Sequence, residues 1–435
     1  MQASDMILIS SDDHVIEPPD AFKRHMPRKF AARAPFVERL EGADYWNFDG
    51  RRYVLGGLNA VAGRPRDEYG IEPTAFTEMR PAAFDVKARV DDMNANGVLA
   101  AMCFPSVMGF GGGIGLSLPD QEYALAVVQA YNDWHVHDWA GGAPGRFIPL
   151  PVVPFWDVDA SVAEVKRLAK MNVHAISFPT NPAFGTKVPS IHSAQWDPLW
   201  RVCAENAIVL CCHIGTGDGP PFTTEEMTAA AWMTTIPMAT SSPAADWLFA
   251  PMWKKFPDLR IALSEAGIGW VPYLMERADF IYDHHGAWTN TSFGSERPSD
   301  VFRRHFILCF TDDKYGLKNR HDIGIDKITW ECDYPHSDCT WPDSPELLWE
   351  NGMKELPADE VAKITHLNAM REFNFDPFKM LKPEDCTVAA LRKLAVHIDT
   401  GPTHGLGGSK PGGESPVTVG EMRAKVAKQK LGVAA

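Results

Sequence analysis

MILISSDDH, residues 6–14, is an aliphatic run that ends on three ionisable side chains. Its apolar part does not alternate in polarity, as expected of a strand buried on both faces. Seven further runs of the same kind follow: VLAAMCFPS (98–106), RFIPLPVVP (146–154), HAISFPT (174–180), AIVLCCHIG (207–215), LRIALSEAG (259–267), HFILCFTDD (305–313) and KITWECDYP (327–335). Helix-like stretches lie between many of them: DVKARVDDMNANG (85–97), YALAVVQAYNDWHVHDWA (123–140), VDASVAEVKRLAKMN (158–172), WDPLWRVCAENA (196–207) and the region of AADWLFAPMWKKFPD (244–258). Several close on Gly or Asn just before the next strand, a helix stop. Strands alternating with helices pair in parallel, and eight of them imply a (β/α)8 TIM barrel rather than an open sheet.

Residues 18–80 and 214–250 are too long for simple βα loops and read as excursions over the barrel mouth. After SPELLWENG (344–352) and ADEVAKITHLNAMREF (358–373) the barrel is complete, so a barrel domain is expected over 1–377. A C-terminal extension is expected over 378–435. It contains a Gly/Pro-rich connector, GPTHGLGGSKPGGESP (401–416), read as extended or mobile. A last helix is expected in VTVGEMRAKVAKQKLG (417–432), packing on a neighbour.

Composition narrows the partners. The net charge of −14 argues against nucleic acid and anionic membranes, which need a basic face. No apolar run approaches the roughly 20 residues of a membrane-spanning helix, and the start has no basic region followed by an apolar run. The eight cysteines include no CxxC pair, and Cys103, Cys211, Cys309 and Cys332 fall inside strand-like runs. That reads as reduced core thiols in a cytoplasmic protein. A small-molecule substrate and a homodimer or higher homo-oligomer are expected.

Barrel enzymes carry their chemistry at the C-terminal ends of strands. The first strand ends in Asp12-Asp13-His14, where the two-residue period puts Asp12 and His14 on one face and Asp13 on the other. The fifth ends in His213, the sixth in Glu265 and the eighth in Asp333, with His336 three residues on. Carboxylates and imidazoles at four strand ends are poor core material, because a buried carboxylate is costly unless paired or bound to a cation. Glu17, in an EPPD turn close behind the site in sequence, reads either as a further carboxylate of the site or as a solvated or capping one. His135 and His137 read as structural, His192 as a loop contact near the mouth, and His284-His285 as a solvated helix end. Asp312-Asp313 would line the site or cap the next helix.

SSDDHVIEPPDAF (10–22), DMNANGV (92–98), HIGTG (213–217), SEAGIGWVPYLMERAD (264–279), WECDYPHSDCTWP (330–342) and HLNAMREFNFDP (366–377) together resemble the amidohydrolase-related family, in the family's order. That branch includes the aminocarboxymuconate-semialdehyde and resorcylate decarboxylases. The resemblance implies a catalytic divalent metal on Asp12, His14, His213 and Asp333. Two positions depart from the pattern. The first strand carries Asp-x-His where the superfamily usually has His-x-His, although carboxylate-x-His also occurs among the decarboxylases. The sixth strand carries Glu265 where the decarboxylases have a His. The fourth, ending in Thr180 and Asn181, offers no bridging Lys or Glu for a two-metal site.

The expected metal set is therefore Asp12, His14, His213, Glu265 and Asp333, a hard O/N site suited to Zn²⁺, Mn²⁺ or Fe²⁺, with one ion expected and room for two. The leading expectation is a metal-dependent hydrolase acting on a small, partly apolar organic substrate. In it Glu265 or Asp333 serves as base and His336 as oxyanion donor. Aromatics in the excursions (Trp46, Phe48, Tyr53, Phe76, Phe110, Trp232) fit such a substrate, and equally fit packing. Two alternatives stand beside it. One is non-oxidative decarboxylation of an aromatic acid. The other is a non-haem iron oxygenase, mono- or diiron, acting on a carrier- or coenzyme A-linked substrate.

Overall fold

The computed structural model describes residues 1–431 apart from 73, 218–220 and 406–414. Eight parallel strands form the central sheet: β1 (Ile9–Val15), β5 (Ala100–Pro105), β6 (Phe147–Ile148), β7 (Ala175–Ser177), β8 (Val209–His213), β9 (Arg260–Ser264), β10 (Phe306–Phe310) and β11 (Ile328–Trp330). They neighbour one another in the order β6-β5-β1-β11-β10-β9-β8-β7. A parallel bridge between Val152 and Ser177, with Ser177 N–H donating to the Pro151 carbonyl at 2.9 Å, joins the two ends. The sheet is thus a closed (β/α)8 barrel.

All eight expected strands are present, but the third is the least regular. Pro149, Pro151 and Pro154 remove ladder donors from RFIPLPVVP, so only two residues keep regular pairing. The strands are fully buried except Arg260, at the start of β9. That agrees with their unalternating composition.

The first mouth excursion holds structure that the strand-like runs did not announce. β2 (Phe36–Leu40), β3 (Ala43–Phe48) and β4 (Arg51–Val54) form an antiparallel sheet. The turns are Glu41-Gly42 and Asp49-Gly50, with φ of 48°, 89°, 52° and 87°. Two consecutive positive-φ residues make the hairpin turn whose twist matches that of the strands, and Asp-Gly is its usual sequence sign. Trp46 and Phe48 pack at 5.1 and 5.4 Å on the Phe22 ring, which makes them core residues rather than substrate contacts. The second excursion carries the helices Ala229–Ala239 and Ser241–Leu248.

The chain after the barrel is docked where it is described. The helix Val388–Leu394 sits under the barrel, with Val388 N–H bonded to the Met6 carbonyl at 2.9 Å. Beyond it, Thr403 N–H donates to Gly63 at 2.8 Å, and Gly405 N–H donates to Glu68 Oε2 at 2.8 Å. Residues 406–414, most of the connector read as extended or mobile, lie outside the described residues. The last helix, Val419–Leu431, packs against its own chain. Ala229 N–H bonds to Val417, Val419 N–H to Met227, and Lys425 Nζ to Glu72. One tail therefore holds both mouth excursions. Truncation after residue 398 is expected to speed hydrogen exchange in 57–80 and 222–239 while the barrel strands stay protected. Unchanged exchange in both segments would show that the tail contacts contribute nothing to their order.

Candidate metal centre

The strand ends converge. His14 Nε2 lies 3.1 Å from His213 Nε2, 3.2 Å from Asp333 Oδ1 and 3.7 Å from Asp12 Oδ1. His213 Nε2 is 3.6 Å from Asp12 Oδ2 and 3.3 Å from Glu265 Oε2. His336, on the loop after β11, stacks on the His14 ring at 3.4 Å and sets its Nδ1 3.1 Å from Asp333 Oδ1. Six side chains expected from four separate strand ends thus meet at one point.

Their backbones are held there by neighbours that do not face the centre. β1 has an irregular register between Ser10 and Asp13, where Ser10 Oγ donates to the Asp13 carboxylate at 2.8 Å. Asp13 turns away from the centre towards Arg89, 3.6 Å distant. The fully buried Arg89 guanidinium also donates to the His14 carbonyl at 2.6 Å and lies over the Tyr334 ring. Glu265 and Asp333 both adopt left-handed backbone, φ 57° and 61°, a conformation that costs a non-glycine residue about 1 kcal/mol or more. Two of the convergent acids are therefore held in strained turns.

Among the described residues neither oxygen of Asp12 or of Asp333 accepts a well-aligned hydrogen bond, even from the imidazoles beside them, and His14 Nδ1 and His336 Nε2 are likewise buried without a hydrogen-bond partner. Among the described residues no lysine or arginine pairs with Asp12, Glu265, Glu331 or Asp333. Burial first, and then their neighbours' negative charges, push the carboxyls of Asp12, Glu265 and Asp333 well above the usual range. Burial holds the His213 and His336 imidazoles at about 3, hence neutral. Clustered acids with empty lone pairs beside neutral imidazoles are what a cation needs and what a dry core does not tolerate. The donor set fits a single divalent metal ion, held by Asp12, His14 and His213 with Asp333 and His336 adjoining.

Glu331 is the residue that the strand-end reading missed. It lies two positions before Asp333, so it shares that residue's inward face, and it is buried inside the barrel. The parity applied to Asp12 and His14 would have found it. Burial raises its carboxyl to about 7, although it accepts bonds from Cys309, Thr311 and the Glu265 N–H.

Other expected residues fall elsewhere. Glu17 is neither solvated nor a helix cap. It is fully buried and accepts the N–H groups of Ser106 and Val107, fixing the start of the loop that carries Phe110. Phe110 in turn covers the centre, its ring 4.6 Å from His14 and 4.4 Å from His213. His192 pairs with Asp246 on the surface rather than at the centre. His135 bonds to Leu150 N–H and Tyr131 in the core, and His284 and His285 are exposed or partly exposed at their helix end. Asp313 caps the following helix and accepts the Ile268 and Gly269 N–H groups at 2.8 and 2.6 Å, whereas Asp312 bonds to Asn351. All eight cysteines are free, seven of them buried. No helix of the described residues is long and apolar enough to cross a membrane.

The family profile described as amidohydrolase matches residues 25–375. Among solved structures, an amidohydrolase from Mycobacterium avium subsp. paratuberculosis superposes with a TM-score of 0.63 at 22% identity, over 84% of this chain and 99% of that one. The 5-carboxyvanillate decarboxylase of Sphingomonas paucimobilis gives 0.59 at 18% identity, over 85% and 99%. A dihydroxybenzoic acid decarboxylase from Polaromonas, solved with manganese and the inhibitor 2-nitroresorcinol, gives 0.56 at 16%, over 88% and 99%. Among curated protein sequences none matches this one.

Proposed function

The chain belongs to the amidohydrolase family, and we propose that within it this protein is a metal-dependent, non-oxidative decarboxylase of an aromatic acid. The observation that carries the reading is the placement of Glu265. Of the four acids at the centre it alone reaches towards the mouth, with 19% of its side chain exposed against none for Asp12 and Asp333. A substrate resting over the centre therefore meets this carboxyl first.

When bound, a divalent cation on Asp12, His14, His213 and Asp333 supplies the positive charge that anchors an anionic acid and withdraws electron density from its ring. The protein does the rest. Phe110, lying over His14 and His213, offers an apolar wall for a flat ring and excludes water. His336, steadied by Asp333 and by stacking on His14, keeps Nε2 free for a ring hydroxyl. Glu265 delivers a proton to the ring carbon as the carboxylate leaves: the carbon–carbon electron pair stays on the ring, carbon dioxide departs, and one proton replaces it. The named activities of the Sphingomonas and Polaromonas structures, both on aromatic acids, support the same class.

Hydrolysis is the second reading, favoured by one feature: Glu265 stands where decarboxylases resembling this chain carry a histidine, and an ionised carboxylate there would take a proton from water. The readings differ in the direction of proton transfer. The test is Mn²⁺-loaded protein offered hydroxybenzoates in heavy water, with gas analysis and mass spectrometry of the product. Carbon dioxide with one deuterium at the vacated carbon is expected. Acid release from esters or lactones without carbon dioxide would establish hydrolysis instead, and substrate-dependent oxygen uptake by the iron-loaded protein would establish the oxygenase.

A further inference from the structure

The Glu265 turn is gripped from two sides by carboxylates outside the expected metal set. In front, Glu331 Oε2 accepts the Glu265 N–H at 3.2 Å. Behind, Asp313 Oδ2 accepts the N–H groups of Ile268 and Gly269. Between these grips the backbone passes through two left-handed residues, Glu265 at φ 57° and Gly267 at φ 61°. Glycine adopts that conformation freely, but glutamate does so only where its surroundings enforce it. Ordinary strand geometry at Glu265 would turn its side chain elsewhere.

Glu331 is itself rigidly placed. Its other bonds come from Cys309, on β10, and from Thr311 Oγ1 at 3.2 Å, just beyond the same strand. It is fully buried with no cationic partner among the described residues, an arrangement that simple packing does not require. A carboxylate that accepts a thiol, a hydroxyl and a backbone amide from two neighbouring strands locks the ends of β9 and β10 to β11.

We propose that Glu331 is a positioning residue that enforces the left-handed turn at Glu265 and thereby aims the Glu265 carboxyl at the metal centre. This rests on Glu265 working beside the cation, but not on the direction in which it moves a proton. Asp313 fixes the far side of the same turn, so the two carboxylates act as a pair of clamps.

The test uses the cobalt(II)-loaded protein, whose visible spectrum reports on charges and donors near the ion without any substrate. Glu265→Gln should shift the cobalt bands, because an amide replaces the carboxyl group beside the ion. Glu331→Ala should reproduce that shift, with roughly 10- to 100-fold weaker cobalt binding, the effect usual for a group that orients a site from behind. Glu331→Gln, which keeps an acceptor for the Glu265 N–H, should restore a nearly wild-type spectrum, a rescue that mere loss of packing would not permit. The double variant Glu265→Gln/Glu331→Ala should resemble either single one. A shifted Glu265→Gln spectrum beside an unchanged Glu331→Ala spectrum would overturn this inference alone. Additive shifts, or loss of cobalt well beyond that range in Glu331→Ala, would overturn it by making Glu331 a ligand in its own right. An unchanged Glu265→Gln spectrum would overturn the placing of Glu265 itself, and this inference with it.

Discussion

His14→Ala and His213→Ala are each expected to strip the bound metal while leaving the barrel folded. The two Nε2 atoms are 3.1 Å apart and share the carboxylate of Asp12, with Asp333 beside His14 and Glu265 beside His213, so each supplies a large part of the donor set. Loss of one ligand among about four should weaken binding well beyond the roughly 10- to 100-fold of a change behind the ligands. The fold should survive, because the strands carrying both residues are sealed by aliphatic side chains that neither imidazole supports. Elemental analysis after dialysis reads the metal, and circular dichroism reads the fold. Wild-type stability should rise on adding metal, by about 2.7 kcal/mol at a hundredfold excess over Kd and with a higher melting temperature, and the variants should lose that response. Acid should act in the same direction. The acids at the centre have proton affinities raised by burial, so protons compete with the cation at higher pH than at a surface site, and retention should fall as pH drops. Undiminished metal in either variant would remove that residue from the ligand set.

The fold was legible because its deciding signal is local. A strand buried on both faces must be apolar throughout, and seven of eight runs keep that character with little interruption. The eighth, RFIPLPVVP, is interrupted by prolines that still allow it to close the barrel through Val152. The β2–β4 sheet was hidden for a different reason. It is partly exposed and alternating, so its apolar content is low, and its sign lies in the turns at Glu41-Gly42 and Asp49-Gly50. At the centre, residues at strand ends could be read from spacing, since the chain period fixes which of them face inwards. Glu331 obeys the same period but sits one layer deeper, where a carboxylate is not expected. The role of Glu17 could not be read from spacing, because its partners are backbone amides some ninety positions away in sequence. Long-range partners of that kind carry no periodic signature.

Glu265→Gln is expected to keep the metal and lose nearly all turnover. The substitution preserves shape and a hydrogen-bonding carbonyl while removing the only acid of the centre that is open to the mouth. Proton transfer by a positioned side chain is worth roughly 10²- to 10⁴-fold, or about 3–5 kcal/mol of barrier, and glutamine can neither give nor take that proton at neutral pH. With metal in excess its content should stay near wild type, because Asp12, His14 and His213 remain as a compact donor group and any weakening should stay within the roughly 10- to 100-fold expected of Glu331→Ala. Glu265→His makes the argument sharper. An imidazole can carry a proton, and it is the side chain that the decarboxylases resembling this chain place at this strand end. The histidine variant should therefore recover part of the lost rate on an aromatic acid, whereas a hydrolytic site that depends on a carboxylate base should not be rescued. Its position 3.3 Å from His213 gives the new ring access to the same centre. Kinetics on the acid with manganese-loaded wild type and both variants, beside elemental analysis of each, measure the outcome. Full activity of Glu265→Gln with normal metal would reduce Glu265 to a structural carboxylate, and an equally inactive histidine variant would count against decarboxylation.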